Sequence, residues 1–448
     1  MVIRIQKHKE NRIFKLYLLA MFVLMVARYL MGTDVPAIAF LAVSMLPAWF
    51  GTKSEQLAMV ASFIPLSVAF QYKYALLILS AAIMIRNHWR LNRAGAFMIV
   101  LAMVIWEWWH AFYGRFDYVE YLRGFAELIL LGVVVSIDLY DLDYKLVIRS
   151  LAVSVVGVCV IMLVMQLRQF DYDILAVFAR SAHSFRFGQS NMESGVYALN
   201  FNANNLGFIC NLSTAGVLLL AARKEHKRLD ILWAICSAIF TLMTLSRAAI
   251  LCLVIIFVAY LFLGEGRLLQ KVISSLIGIL VAVVAMMLVW TFVPAVFENI
   301  LERFQRSDMS NGRSRLFLYY GEFLLSSPSY FLCGIGMQNI FGKVSPYYPV
   351  HDVPHMGIQE VWVAWGLVGV VMILILFFKI VTASRQYSQG KRRAYQFMPL
   401  GLTLVFTMSG QLLTSSRTLM ALIFAYACLC ISNNDRNNKT MDRHLEDV

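Results

Sequence analysis

The run Leu276–Val289, LIGILVAVVAMMLV, decides the fold: it carries no charge, shows no alternation of apolar and polar positions, and continues an apolar stretch over residues 272–292. A helix needs roughly 17 to 25 such residues to cross the hydrocarbon core of a bilayer. A membrane β-strand would alternate with period two over a shorter segment, and this run does not. Backbone amides in lipid must bond within their own segment, so the run reads as a transmembrane helix. The same composition recurs outward along the 448 residues, which are 60% hydrophobic and 15% charged, with 31 Phe, 20 Tyr and 9 Trp. No soluble domain of this length normally carries that balance. Apolar windows fall near residues 13–31, 35–50, 56–70, 74–85, 94–109, 122–137, 147–166, 205–222, 230–245, 248–263, 272–292, 357–380, 395–413 and 417–432. The pair at 56–70 and 74–85 is short for two crossings, which leaves twelve spans open beside fourteen. The expected fold is an all-α polytopic integral membrane protein: a helical bundle of 12–14 transmembrane helices forming one domain over 1–433, then a polar tail over 434–448.

Orientation follows from the Lys/Arg bias of the connections. With the N-terminus inside, 25 of the 39 Lys and Arg residues collect on the inner side, notably in 4–15, 86–93, 223–228 and 391–393. Both termini are then cytoplasmic. The net charge of +13 is mostly this topological signal plus attraction to anionic lipid, and no aromatic stacking platform accompanies the short basic clusters. Nucleic-acid binding is therefore not expected. The outer set is unusual: it holds 12 Arg but only 2 Lys, Lys73 and Lys343. Guanidinium is the planar, permanently charged fork that suits phosphate and diphosphate oxygens, whereas Lys is the ordinary counter-charge. Chance and aromatic stacking are the plainer explanation. Six of the seven cysteines fall in expected spans and only Cys333 in a large outer loop, so they read as small hydrophobes and not as a disulfide framework. The first span follows a basic segment but is continued by further spans, the pattern of an uncleaved anchor.

Two outer segments are too long and polar to be mere connectors: residues 167–204 and the large loop 293–357. Long ordered loops usually carry function. The second loop reads as two short helices, Val296–Phe304 and a segment opened by Ser310-Asn311-Gly312 and closed by Ser326-Ser327-Pro328. In that segment Leu316, Phe317, Tyr320, Phe323 and Leu324 recur at three- and four-residue spacing and form an apolar stripe. There is no convincing internal repeat of the kind that marks inverted-half transporters.

Several residues could carry chemistry. His355 stands just before a span in His351-Asp352-Val353-Pro354-His355, and histidine can take a proton from a sugar hydroxyl near neutral pH. Its plainer reading is an interfacial histidine. The His351/His355 spacing is one that zinc sites use, but Pro354 opposes a regular helix presenting both and no third ligand is apparent, so no metal is expected. Arg247 lies at a tight turn between two spans, where an arginine is costly unless paired or hydrated; a snorkelling residue is the alternative. Arg313 opens the loop helix, where backbone N–H groups and a guanidinium could meet one anion; alone it would more simply be a solvated arginine. Asp141-Leu142-Asp143 and Asp171-Tyr172-Asp173 spell the Asp-x-Asp of metal-dependent glycosyltransferases, a three-residue pattern common by chance. Asp34 reads most simply as a helix cap, and Glu127, four residues after Arg123, as its helix-face ion-pair partner.

Taken in order, these pieces resemble a known family. Asn311-Gly312-Arg313, Phe317, Pro328, Gly334-Ile335-Gly336, His355 and Gly366-Leu367-Val368-Gly369 resemble the C-terminal region of O-antigen ligases and polymerases. Ser246-Arg247 is similar to that family's Ser/Thr-Arg pair opening a span, and Arg186-Phe187-Gly188 with Asn202–Gly207 is similar to its upstream Arg-x-x-Gly and Asn-rich segment. The likeness covers residues 180–433. Phe317 departs from it where an indole is common, and so does the His351-Asp352 lead into His355. The resemblance implies a glycosyltransferase acting at the periplasmic face of the bacterial inner membrane without a cofactor. Arg247 and Arg313 would hold the lipid diphosphate and His355 would activate the acceptor, with Arg186, Arg315 and His351 as further substrate-binding residues. The implied donor is an undecaprenyl-diphosphate-linked oligosaccharide and the acceptor a glycan, among membrane lipids and beside flippase and chain-length regulator proteins. A polymerase of repeat units for O-antigen, capsule or exopolysaccharide is the leading expectation. Its alternatives are a ligase moving the glycan to lipid A core and, from another class, a lipid-linked glycan flippase or transporter. Arg247, Arg313 and His355 are expected to converge on one outer cavity.

Overall fold

A computed structural model describes residues 2–67, 72–86, 94–110, 117–169, 171–173, 201–263, 312–350, 352–387, 393–408, 410–413 and 416–431, with isolated positions between them. Every regular element among these residues is helical, as the apolar windows require. Four helical stretches are long and apolar enough to cross a membrane: Arg12–Leu30, Tyr144–Arg168, Ala203–Ala222 and Gly357–Ser384. Shorter apolar helices run over Ala37–Phe50, Gly95–His110, Arg247–Phe262 and Arg417–Leu429. At 1.5 Å per residue a helix of 14 residues such as Ala37–Phe50 reaches only about 21 Å, less than a full hydrocarbon core. Apart from isolated positions, the expected span over 272–292 and the expected helix Val296–Phe304 lie outside the described residues, as do most of the 167–204 segment and the 434–448 tail.

The chain divides into two compact units, residues 1–75 with 148–318 and residues 76–147 with 319–448. In the first unit, small and polar residues let helices approach closely. Tyr17 and Ser62 share a 2.8 Å hydrogen bond between the first helix and Lys53–Leu66, and the Glu55 carboxylate accepts from the Phe14 amide at 3.1 Å. Glu55 also closes a capping box with Thr52, which explains why that helix begins where it does. The Asp230 carboxylate receives Nε and Nη2 of Arg149 at 2.9 and 2.8 Å and the Lys227 amide at 2.7 Å, which ties Arg228–Met243 to Tyr144–Gln169.

In the second unit the aromatic residues do the packing. Phe125 stacks on Trp365 at 5.8 Å, Trp106 Nε1 donates to the Trp365 carbonyl at 3.1 Å, and Tyr121 donates to the Val104 carbonyl at 2.6 Å. Two expected spans are interrupted here. Gly357–Ser384 is broken at Gly366, whose φ is +67°, so a short helix over 357–365 precedes a longer one. The window 395–413 resolves into Arg393–Gln396, Met398–Thr407 and a non-helical stretch at 410–413. Pro399 sits in the first turn of Met398–Thr407, where its missing N–H does no harm but continuity from the preceding helix is lost.

Candidate functional site

His355 lies in a short non-helical turn between the 340–344 helix and the helix that starts at Gly357. Pro354 keeps the chain out of helix at this point. The turn brings the His355 Nε2 within 3.1 Å of the Asp352 Oδ2, with the His side chain 25% and the Asp side chain 54% exposed. The other oxygen, Oδ1, accepts from the Val353 amide at 2.8 Å. The Asp352 carbonyl in turn accepts from the hydroxyl of Tyr320, a fully buried residue of the 313–325 helix, at 2.9 Å. Burial, with the Asp352 charge beside it, pushes the Tyr320 hydroxyl well above its ordinary pKa and keeps it a donor. The turn is thus held from the loop helix on one side and joined to the following helix on the other.

That following helix is anchored by a buried carboxylate. Glu360 is inaccessible to solvent, and its Oε2 accepts from the amides of Leu412 and Leu413 at 2.6 and 2.9 Å. These amides belong to the interruption at 410–413, so one side chain satisfies the donors that the broken helix leaves over. Losing it would strand buried N–H groups at a cost of about 1–3 kcal/mol each. Glu107 plays a matching part: its carboxylate accepts from the Met337 amide at 2.9 and 3.1 Å and from Trp365 Nε1 at 2.7 Å. It caps the 337–339 turn and fixes the indole next to the Gly366 break.

The glycine pieces noted in the sequence meet here. The amides of Ile335 and Gly336 donate to the carbonyls of Val363 and Ala364 at 3.0 and 2.7 Å. Those carbonyls would ordinarily bond within the helix, and the positive φ of Gly366 releases them. A Cβ on Gly366 would collide with the Leu332 carbonyl, and one on Gly334 with the Ala364 carbonyl. Gly334-Ile335-Gly336 and Gly366 are therefore two halves of one backbone lock, one before His355 in the chain and one after it.

Arg247 and Arg313 each occupy the first position of a helix, Arg247–Leu263 and Arg313–Leu325, and each is half-buried. A cation is disfavoured at that end of the helix dipole by about 0.3–1 kcal/mol, whereas an anion is favoured there. Burial pulls the Arg313 guanidinium below its ordinary pKa, and it stays a cation at neutral pH. Gly312, at φ +80°, lets the chain turn into the 313–325 helix.

Around Arg247 the first unit brings two sequence pieces together. Leu245 takes a φ of +50° at the turn, and Ser246 then caps the helix through the Ala249 amide at 3.3 Å. The Ser246 hydroxyl donates to Asn204 Oδ1 at 2.7 Å, and Asn211 Nδ2 donates to the Ala249 carbonyl at 2.8 Å. The Asn-rich segment thus packs on the Ser246-Arg247 turn. Gly207 permits this, since a Cβ there would strike Ala249.

Arg315 is exposed on the 313–325 helix. Arg186 and His351 lie outside the described residues. Of the apolar stripe, Tyr320, Phe323 and Leu324 are buried, while Phe317 is 48% exposed. Among the described residues no group of three or more His, Cys, Asp or Glu is placed to hold a metal ion. Glu107, Glu360 and Asp352 were not singled out by sequence reasoning. For the first two the available signal was a lone acid in an apolar helix, which is costly without buried partners.

Residues 232–374 match the family model described as O-Antigen ligase. The matched stretch contains Arg247, Arg313, Arg315, His351 and His355 and both halves of the glycine lock, and it supports the O-antigen ligase/polymerase family on which the motif series converged. It also supports glycosyl transfer as the class of chemistry and an integral membrane location for these apolar helices. No curated protein matches the chain.

Proposed function

We propose that this chain, whose residues 232–374 match the family model described as O-Antigen ligase, polymerises undecaprenyl-diphosphate-linked oligosaccharide repeat units at the periplasmic face of the bacterial inner membrane. The observation that carries the reading is the pair of half-buried arginines, each opening a helix, in the same matched stretch as a histidine held by a carboxylate. Transfer from a polyprenyl diphosphate breaks the C1–O bond, so negative charge grows on the diphosphate while the sugar ring becomes oxocarbenium-like. Fixed cations aimed at that leaving group stabilise the transition state more than the ground state. Arg247 and Arg313 take this role in place of a divalent ion, and His355 removes the acceptor proton. Arg186, Arg315 and His351 contribute to substrate binding, and a flippase and a chain-length regulator act beside the enzyme.

Purified protein in detergent, given lipid-linked repeat units extracted from the strain that encodes it, is expected to lengthen them with no gradient and with chelator present. Movement of donor between leaflets without any new glycosidic bond would make the chain a flippase instead. The family description favours a second reading, a ligase that moves the glycan to lipid A core. A deletion strain separates the two: single-repeat glycans on lipid A mark a lost polymerase, and accumulated long lipid-linked chains a lost ligase. The positive-inside bias further places both termini in the cytoplasm. Reporter fusions at residues 340 and 389 are expected to report opposite sides of the membrane, and the same side for both would overturn this topology.

A further inference from the structure

The 352–355 turn holds more than a histidine, and we infer that Asp352 is a positioning residue for His355, setting its tautomer and stabilising its charged form during transfer. This deepens the proposed function and rests on His355 acting as the base. The carboxylate lies 3.1 Å from Nε2 and is itself fixed, with Oδ1 on the Val353 amide and the backbone carbonyl of the same residue on the Tyr320 hydroxyl. When Nε2–H donates to Oδ2, the lone pair of the neutral ring sits on Nδ1, and that nitrogen takes the proton. In the step itself the acceptor hydroxyl oxygen uses a lone pair to bond the anomeric carbon of the donor sugar. The C1–O bond to the diphosphate breaks, its electron pair leaves on the diphosphate oxygen, and the hydroxyl proton passes to Nδ1. The imidazolium so formed faces an anion already in place, and no reorganisation is needed at that moment.

Stability does not account for the pair. With one partner 54% exposed, an ion pair of this kind contributes about 0–1 kcal/mol to folding. Backbone needs do not account for it either, since an asparagine would still accept from the Val353 amide. What only the carboxylate supplies is charge on Nε2, which is why the two roles separate by experiment.

The test uses full-length protein in detergent with undecaprenyl-diphosphate-linked repeat units from the encoding strain as donor and acceptor, following kcat and donor KM for wild type, Asp352→Asn, Asp352→Glu and His355→Ala. Asp352→Asn is expected to lower kcat by about 10–10²-fold, part of what a general base contributes, with donor KM within about threefold and an unchanged melting temperature. Asp352→Glu, which keeps the carboxylate, is expected to retain more of kcat than the asparagine variant. A kcat for Asp352→Asn within twofold of wild type, while His355→Ala is inactive, would overturn the positioning role and leave the base intact. A loss carried by KM or by melting temperature would overturn it in favour of a structural role. Near-wild-type turnover in His355→Ala would remove the base and this inference with it.

Discussion

Replacing His355 with alanine is expected to lower glycan transfer by about 10²–10⁴-fold, the range a positioned general base supplies, while the protein still inserts and still binds donor. The reason is local. Its Nε2 is engaged by Asp352, the backbone on both sides is held by Tyr320 and Glu360, and alanine removes only the ring. The turn keeps its non-helical course because Pro354 and the Gly357 helix start are unchanged. Turnover and donor binding measured on the same purified sample decide the matter. Transfer within a few-fold of wild type would return His355 to an interfacial role and leave the chemistry without a base.

Arg313→Lys is expected to lower kcat by about 10–10²-fold and Arg313→Ala by about 10²–10³-fold, the latter comparable with removing one donor from an oxyanion hole. Lysine keeps the charge, so any loss in that variant measures geometry. A guanidinium presents a planar fork to two oxygens of one diphosphate, and an ammonium on a flexible stem does not. Because the charge develops as the C1–O bond breaks, kcat should suffer more than donor KM. On the proposed reading, the donor diphosphate would offset the dipole cost of an arginine at this helix start. A lysine variant with wild-type kcat would show that Arg313 serves as a diffuse counter-charge only. A KM-only effect would move it from transition-state stabilisation to simple donor capture.

The helical class and most helix positions followed from the sequence, because the length of an apolar window and the glycine and proline at its ends are local properties. Ser310-Asn311-Gly312 and Ser326-Ser327-Pro328 bracketed a helix that runs over Arg313–Leu325, and the window 205–222 became Ala203–Ala222. The candidates His355 and Arg247 stood out for a related reason, since charge at the edge of an apolar span is costly, and Arg313 stood out because it opens a helix within the long outer loop. What the tertiary structure alone decided is where those spans break and what holds the breaks. Nothing in the run Gly357–Ser384 announces that Gly366 takes a φ of +67°, or that the freed carbonyls of Val363 and Ala364 receive amides from the 334–336 segment. Glu107 meets the Met337 amide 230 positions away in the chain, and Glu360 meets Leu412 at a separation of 52. Both look in sequence like isolated acids in apolar helices, because most of their partners are backbone amides, which every residue but proline carries and no residue type advertises. The pairing of Asp352 with His355 was hidden for the opposite reason. Asp352 lies three residues from His355, but whether their side chains meet depends on the backbone dihedrals of a turn outside any regular helix, and those are set by packing that periodicity does not encode.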